Sequence, residues 1–313
     1  SRPLLDSRGE LNVEERIDFG SSTQNAKPQS SNHVDATTQR ILVLCLGGIG
    51  DTVLAFAALR DLRLACPDAH LTALTMWPQS AELLTDLGIF NEVLQHNFQR
   101  DHWWRSLAQI LRIRRQHYDV SLLAFPANRF EYNVMSMLLG PRKRWGHGYL
   151  RGSNIANFRF LLTNRIEQVQ GRHTIDENRS LVVAFTGIPT PQHAGIQLGS
   201  IAARYHQEAQ RMLSHLKEPL LGIHPGSSQY KGLETKRWPA ERFGELCDRA
   251  INELGLQPVV FGMPDEWDLK LRIQDICPRV HLAHGKTIRH TAALMARCAA
   301  FVSNDSALAH VAS

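Results

Sequence analysis

The chain has 313 residues, of which 43% are apolar and 21% charged, a balance typical of a globular protein with room for two domains. Its net charge of +5 favours an anionic partner, but the basic residues form no long tract interleaved with aromatics, which disfavours nucleic acid. No apolar run approaches the roughly 20 residues that span a bilayer, and the N-terminus lacks the layout of a secretory signal, so we expect a cytoplasmic protein.

The spacing of cysteines and histidines gives no support for a C-x-x-C site or a histidine metal site. The five cysteines are scattered and contain no C-x-x-C pair, which predicts reduced core thiols. The fifteen histidines form no H-x-x-x-H or H-E-x-x-H spacing on a predicted helix, so a metal site has no support from the sequence.

Residues 1–38 are polar, lack periodicity and are rich in Ser, Asn, Gln and Asp, which predicts a disordered tail or linker. The chain begins without methionine, and we therefore expect it to be a piece of a longer product.

The first regular elements predicted are a strand from Ile41, a turn through Gly47, Gly48 and Gly50, and a helix over residues 51–66. The unbroken apolar run indicates a strand buried on both faces of a parallel sheet. Asp51 stands where the helix begins, and its carboxylate either faces a ligand crevice or simply caps the helix, which contributes about 1 kcal/mol. The turn lacks the third glycine of a dinucleotide fingerprint and the lysine of a P-loop, which disfavours both classes.

Strands and helices then alternate, with strands at 70–75, 92–94 and 118–125 and helices at 79–87 and 102–117. This repetition predicts a doubly wound parallel sheet of the α/β class. Arg100, Trp103, Trp104 and Arg105 begin a basic and aromatic cluster in this half. Each residue alone is compatible with a solvated helix face, whereas the whole cluster favours an acidic partner, because arginine forks match carboxylates and phosphates.

Two prolines and two glycines in residues 187–195 predict a domain boundary. We expect an N-terminal domain over 39–195, a linker with a bridging helix over 196–216 and a C-terminal domain over 217–313. The second domain repeats the alternation, with strands at 220–224, 258–261, 280–283 and 300–303. Because open parallel sheets bind ligands at the carboxyl ends of their strands, the turns at 47–51, 224–236, 262–266 and 304–307 are candidate ligand sites. A cleft between two such sheets can hold two substrates.

Three motifs in this order resemble glycosyltransferase family 9, the ADP-heptose:lipopolysaccharide heptosyltransferases and their relatives. They are Leu46-Gly-Gly-Ile-Gly-Asp51, His224-Pro-Gly-Ser-Ser with Lys236-Arg-Trp-Pro239, and Ser303-Asn-Asp-Ser-Ala-Leu-Ala-His310. The resemblance covers about residues 41–313 and implies a GT-B architecture, in which two Rossmann-like domains face each other across a cleft. The N-terminal domain would receive the acceptor and the C-terminal domain the nucleotide sugar.

The resemblance also implies roles for single residues. Asp51 would be the general base, since an acceptor hydroxyl is a poor nucleophile until a carboxylate takes its proton. Lys236 would stabilise the donor phosphates during catalysis, and Glu266 would hold the ribose. The full implied donor set is His224, Gly226, Ser227, Ser228, Lys236, Glu266, Asn304, Asp305, Ser306, Ala307 and His310, and the acceptor set is Gly48, Gly50, Asp51, Arg100, Arg105 and Arg129.

Each role has a structural alternative. Lys236 could instead be an exposed cation at a helix start, Glu266 could be a helix-dipole residue, and Asp305 could also act as a helix cap. Alternatives for the whole chain are a GT-B nucleotide-sugar epimerase, with His224 as its acid/base group, and a degenerate glycan-binding relative.

The implied reaction is a single displacement with inversion, from a nucleotide-sugar donor, ADP-heptose, to lipopolysaccharide or another surface glycan. It needs no cofactor and no protein-bound metal. The expected partners are the nucleotide sugar and an anionic glycan or glycolipid, with the protein acting as a monomer in peripheral contact with the cytoplasmic face of the inner membrane.

Two departures from the family pattern stand out. Ala307 occupies a position where the family usually has glycine, and Gly47 and Gly48 stand where many heptosyltransferases have serines, which leaves the donor preference open and suggests a relative of the inner-core enzyme. The chain also stops at Ser313 inside a predicted helix, whereas the fold normally continues, so we expect an incomplete C-terminal domain.

Overall fold

A computed structural model of the protein describes residues 39–127, 129–149, 158–189, 201–227 and 237–312. Its first sheet is parallel and has the strand order β3-β2-β1-β4-β5-β6. The strands are β1 Arg40–Cys45, β2 His70–Thr75, β3 Glu92–Gln95, β4 Val120–Leu123, β5 Lys143–Gly148 and β6 Asn164–Glu167. The helices are α1 Ile49–Ala65, α2 Pro78–Asp86, α3 Trp103–Arg114, α4 Phe130–Leu138 and α5 Thr174–Thr186, and a 3-10 turn spans Arg159–Leu161.

The second sheet is also parallel and has the order β10-β7-β8-β9. Its strands are β7 Leu220–His224, β8 Gln257–Val260, β9 His281–Leu282 and β10 Cys298–Ser303. Its helices are α6 Ala203–Leu213, α7 Ala240–Leu254, α8 Trp267–Ile276, α9 Ile288–Met295 and α10 Ala307–Ala312, with a 3-10 turn over Pro264–Glu266. None of the helices described is long and apolar enough to cross a membrane.

The burial of β1 explains the layers around the first sheet. Its residues alternate between two apolar clusters, because successive side chains of a strand point to opposite faces. Ile41 and Val43 pack in the cluster that contains α1 and α5, and Leu42 and Leu44 pack in the cluster that contains α3 and α4. The predicted doubly wound parallel sheet is therefore confirmed.

The second sheet shares one of these clusters. α7 and α8 cover one of its faces in a cluster of their own. On its other face, α6, α9 and α10 belong to the same cluster as α1 and α5 of the first sheet. A single apolar core therefore runs between the two sheets and joins them.

The strand order reverses at one point in each sheet, between β1 and β4 and between β7 and β10. Ligands of open α/β sheets bind outside the carboxyl ends of strands at such a switch point. The turn after β1 and the loops after β7 and β10 therefore occupy the positions in which a doubly wound protein binds its ligands.

Candidate functional site

The turn between β1 and α1 fixes Asp51 at the start of the helix. Gly48 precedes α1 in an extended conformation, and the Asp51 carboxylate accepts a hydrogen bond of 2.9 Å from the backbone N–H of Gly48. A Cβ on Gly47 would lie 2.7 Å from Asp51 Oδ2, so this position has no room for a side chain. The capping role that the sequence left open for Asp51 is present in the structure.

The surroundings of Asp51 come from both halves of the chain. The side chain is half-buried, and burial raises its pKa, whereas the Gly48 N–H and the nearby His310 imidazole act in the opposite direction. Burial also raises the pKa values of Tyr132 and Tyr149, and the charge of nearby Asp51 adds to both effects. A carboxylate with a raised pKa is a better proton acceptor than an exposed aspartate, so this environment suits a general base.

The turn after β1 meets the helix that follows β10. A Cβ on Gly50 would lie 2.7 Å from His310 Cδ2 and 3.6 Å from the Ala307 Cα, both in α10. The structure thus brings the predicted acceptor residues Gly48, Gly50 and Asp51 next to the predicted donor residues Ala307 and His310. This contact joins the switch points of the two sheets.

His224, at the end of β7, belongs to a buried chain of polar groups. Its Nδ1 lies 2.9 Å from Ser306 Oγ and its Nε2 lies 3.1 Å from Glu266 Oε2. The Glu266 carboxylate also accepts the Met263 N–H at 2.8 Å. Burial acts to raise the pKa of Glu266, but His224, the Met263 N–H and Arg237 together outweigh it, and the pKa is lowered.

The Glu266 carboxylate supports the loop after β7. Glu266 is 6% exposed, and a Cβ on Gly226 would collide with its carboxylate. A glycine at position 226 therefore lets the backbone of this loop lie directly on the carboxylate. The contact of Glu266 with a ribose stays a prediction.

Asn304 connects three segments at the end of the second sheet. Its Oδ1 accepts the Trp238 N–H at 3.0 Å, and its Nδ2 donates to the Pro225 carbonyl at 2.7 Å. Arg237 donates from Nε to Ser227 Oγ at 3.1 Å and from Nη2 to the Ser227 carbonyl at 2.8 Å. These bonds fix the loop after β7, the start of α7 and the loop after β10 relative to one another.

Of the remaining predicted donor residues, the structure describes Asp305 but not Ser228 or Lys236. Asp305 is exposed beside Asn304. Sequence reasoning missed Arg237, although its place beside Lys236 in the second motif was a usable signal. It also missed Tyr132 and Tyr149, because a lone tyrosine has no signature that separates it from any core aromatic residue.

A cavity of about 520 Å³ opens at the carboxyl end of the first sheet. It is lined by Leu46, Met76, Phe98, Gln99, Arg100, Arg129, Glu131, Tyr132 and Met135. Arg129 lies 3.7 Å from the Glu131 carboxylate, and the Arg100 guanidinium lies over the ring of Trp77. Arg105 is exposed on α3, where it stacks on Trp104, and it does not line this cavity. Two of the three predicted acceptor arginines therefore share one cavity.

No three His, Cys, Asp or Glu side chains within the described ranges are grouped so that they could hold a metal ion.

Comparison with known proteins gives a consistent family. The sequence profile of glycosyltransferase family 9 (heptosyltransferase) matches residues 104–313. The lipooligosaccharide heptosyltransferase 2 of Haemophilus ducreyi is 25% identical over 219 residues, which make up 65% of this chain and 59% of that protein. The chain therefore spans less than two thirds of the length of this curated relative.

Two solved structures share the fold. The glycosyl transferase family 9 protein from Veillonella parvula has a TM-score of 0.70 at 22% identity and covers 90% of this chain and 79% of its own. The E. coli ADP-heptose LPS heptosyltransferase II has a TM-score of 0.67 at 23% identity, with coverages of 88% and 81%. These likenesses confirm the GT-B architecture.

Proposed function

The chain belongs to glycosyltransferase family 9, and we propose that it transfers a sugar, with inversion, from a nucleotide-sugar donor to a surface-glycan acceptor. The observation that carries this proposal is the meeting of the Asp51 turn with His310, where the switch points of the two sheets adjoin. A base at this point can reach an acceptor on the first sheet while the second sheet holds the donor. The relatives' names support ADP-heptose as the donor and lipopolysaccharide as the acceptor.

The acceptor would bind in the cavity lined by Arg100 and Arg129. Their guanidinium groups match the geometry of phosphates and carboxylates, and Glu131 offsets only part of their charge. The anionic part of a glycan or glycolipid would lie there, with its reactive hydroxyl directed to Asp51. With such an acceptor, the enzyme would work at the cytoplasmic face of the inner membrane, and we propose that it does so as a monomer.

The donor would bind between the loops after β7 and β10. Ser227 and Ser306 offer hydroxyl groups for a diphosphate, and Lys236 and Arg237 offer positive charge. Glu266 would lie beside the ribose, and Asp305 would complete the donor loop.

In the proposed step, Asp51 takes the proton of the acceptor hydroxyl while the hydroxyl oxygen bonds to the anomeric carbon. The bond from that carbon to the diphosphate oxygen breaks, and its electron pair leaves with the nucleoside diphosphate. Lys236 and Arg237 stabilise the negative charge that develops there. The step forms no covalent enzyme intermediate and uses neither a cofactor nor a protein-bound metal.

The environment of His224 favours a transferase over an epimerase. An epimerase would need this imidazole to exchange protons with the sugar. His224 is 3% exposed, and its two nitrogens lie within hydrogen-bond distance of Ser306 and Glu266. It therefore serves better as a support for the donor loops than as an acid or base.

Calorimetry with nucleotide diphosphates and nucleotide sugars, combined with a transfer assay, tests the assigned roles. We expect an ADP-sugar to bind the wild type, Lys236→Ala to weaken this binding, and Asp51→Asn to leave it within about twofold. Asp51→Asn should lower kcat by about 10²–10⁴-fold, because it removes the general base.

Asp68→Asn, which changes an exposed carboxylate in the turn before β2, is the matched control and should keep full activity. A folded wild type that binds no nucleotide would sink the proposal and favour a glycan-binding relative. Unchanged transfer in Asp51→Asn would remove Asp51 as the base.

A further inference from the structure

Helix α3 exposes an unusual number of large apolar side chains. Trp103, Trp104, Leu107 and Leu111 are 76%, 51%, 47% and 45% exposed, whereas Ile113 is the fully buried residue of the helix. Large apolar groups exposed together, unlike single ones, mark a surface that contacts something else.

These side chains form one stripe. Residues 103, 107 and 111 are four apart and so lie on one side of the helix, and Trp104 borders them. Arg115 lies four residues after Leu111 and continues the same side of the helix at its carboxyl end. Arg112 follows Leu111 directly and borders this side. We call this surface, made of Trp103, Trp104, Leu107, Leu111, Arg112 and Arg115, the α3 face.

Further apolar and basic groups extend the α3 face. Arg114 Nη1 donates to the Leu138 carbonyl at 3.2 Å, which puts α3 beside the end of α4, where Met137 and Leu138 are more than one-third exposed. Within the part of the chain that the structure describes, no carboxylate lies within 4 Å of Arg112, Arg114 or Arg115. Among the described residues, the positive charge of the α3 face therefore has no carboxylate partner and is available to an external anion.

We propose that the α3 face is a docking surface for an anionic lipid bilayer. Tryptophan prefers the boundary between headgroups and acyl chains, leucines can enter that boundary, and arginines meet anionic headgroups. The helix would lie in the plane of the membrane surface. A protein partner would also cover apolar groups, but Arg112 and Arg115, which follow the apolar stripe at the end of α3 and pair with no carboxylate among the described residues, complement an anionic headgroup layer.

The α3 face adjoins the acceptor cavity. α3 begins three residues after Arg100, which lines that cavity together with Phe98 and Gln99. Docking would bring the cavity next to the headgroups, so that a glycolipid could reach Arg100 while its acyl chains stay in the bilayer. This last step rests on the proposed function, whereas the docking itself does not.

Flotation of the full chain with vesicles tests the proposal. We expect binding to vesicles of phosphatidylcholine mixed with phosphatidylglycerol, weaker binding to phosphatidylcholine alone, and a decrease with added salt. Trp103→Ser combined with Trp104→Ser should lower the partition coefficient by about tenfold or more. Arg112→Gln combined with Arg115→Gln should lower it by roughly 25-fold, since each arginine near an anionic surface contributes about fivefold.

The controls are Leu254→Ser and Arg211→Gln, which change exposed residues of α7 and α6 and should bind vesicles as the wild type does. Calorimetry with the ADP-sugar, run on the same α3 variants, separates loss of docking from loss of the proposed function. Absence of wild-type binding to anionic vesicles would overturn the proposal, as would α3 variants that bind like the wild type. It would also be overturned if the variants alter only the oligomeric state in solution, since a second copy would then cover this face.

Discussion

At the scale of single residues, Lys270 in α8 places an ionisable amine in the core of the second half. It is fully buried, its Nζ donates to the Ala283 carbonyl at 2.5 Å, and its amine lies over the ring of Trp267. Burial lowers its pKa to about 8, against the weaker opposing effect of Glu266. Folding therefore takes the protonated amine out of water next to the loops that we assign to the donor.

This pKa predicts how stability changes with pH. An unfolded lysine keeps its proton up to about pH 10.5, so between about pH 8 and pH 10 the unfolded chain binds more protons than the folded chain. We expect the free energy of unfolding of the wild type to rise in this window by on the order of 2 kcal/mol relative to Lys270→Met. Urea unfolding of both proteins across the window measures the difference. Identical pH dependence would show that Lys270 keeps its proton in the folded state.

At the scale of elements, the start of α1 offers a matched pair of glycine substitutions. A Cβ on Gly48 would meet Asp51 Oδ2 at an ordinary 3.6 Å, whereas a Cβ on Gly50 would force the His310 ring to move. Gly50 lies inside α1, where alanine is favoured over glycine by up to about 1 kcal/mol. Gly48 is the cap, where alanine is a poorer residue than glycine, but its Cβ fits the available space, so both variants should fold.

We expect Gly50→Ala to lower kcat by about 10–100-fold and Gly48→Ala to stay within about threefold of the wild type, because small displacements of reacting groups are costly. A transfer assay with thermal unfolding as the folding check measures this. Equal rates in the two variants would mean that the contact between α1 and α10 does not matter for transfer.

The same scale shows which elements a sequence can predict. β2 spans the predicted residues 70–75, and α1 begins two residues before the predicted start, because Gly48 is the cap and Asp51 the third helical residue. β2 and α1 can be predicted because each contains an apolar run and is bounded by glycine or proline. α4, β5, β6 and α5 were not predicted.

These elements were hidden for physical reasons. β6 is a four-residue edge strand with a single apolar residue, and β5 consists of basic residues, glycines, a tryptophan and a histidine. α5 buries Glu177, Asn178 and Arg179, and Asn178 hydrogen-bonds both the N–H and the carbonyl of Phe125. Polar groups on a buried face erase the apolar period from which a helix is recognised.

At the scale of the whole molecule, a charged pair crosses between the two sheets. Arg289 at the start of α9 pairs with Asp86 at the end of α2, and its backbone N–H donates to Glu82 at 3.4 Å. The two paired side chains are 12% and 28% exposed, so little water is available to replace either partner.

We expect Asp86→Asn to lower the free energy of unfolding by about 1–3 kcal/mol, because it removes the carboxylate paired with a largely buried guanidinium and leaves only the charge of nearby Glu82. Glu245→Gln is the control, since its pair with Arg242 is more than half exposed on both sides and such pairs contribute at most about 1 kcal/mol. Urea unfolding compares the two. Similar losses in both variants would mean that solvent screens the crossing pair as well.

The sequence predicted candidate ligand turns at the carboxyl ends of strands, and the structure places the described parts of these turns there, whereas ligand binding stays a prediction. It could not predict that the Asp51 turn and His310 touch, because this contact depends on the strand order of two sheets and on the helices between them. It also could not predict that His224 and Glu266 bind each other, since the residues are 42 positions apart.

The apolar core that both sheets share limits how this protein can be recombined with its relatives. α1 and α5 pack in the same cluster as α9 and α10. The His310 ring occupies the space that a side chain at position 50 would need. A chimera that joined residues 39–189 to the second half of a relative would therefore bring foreign side chains into a core that is already filled. Exchanging donor specificity by swapping halves requires α1 and α10 to be transferred as a pair.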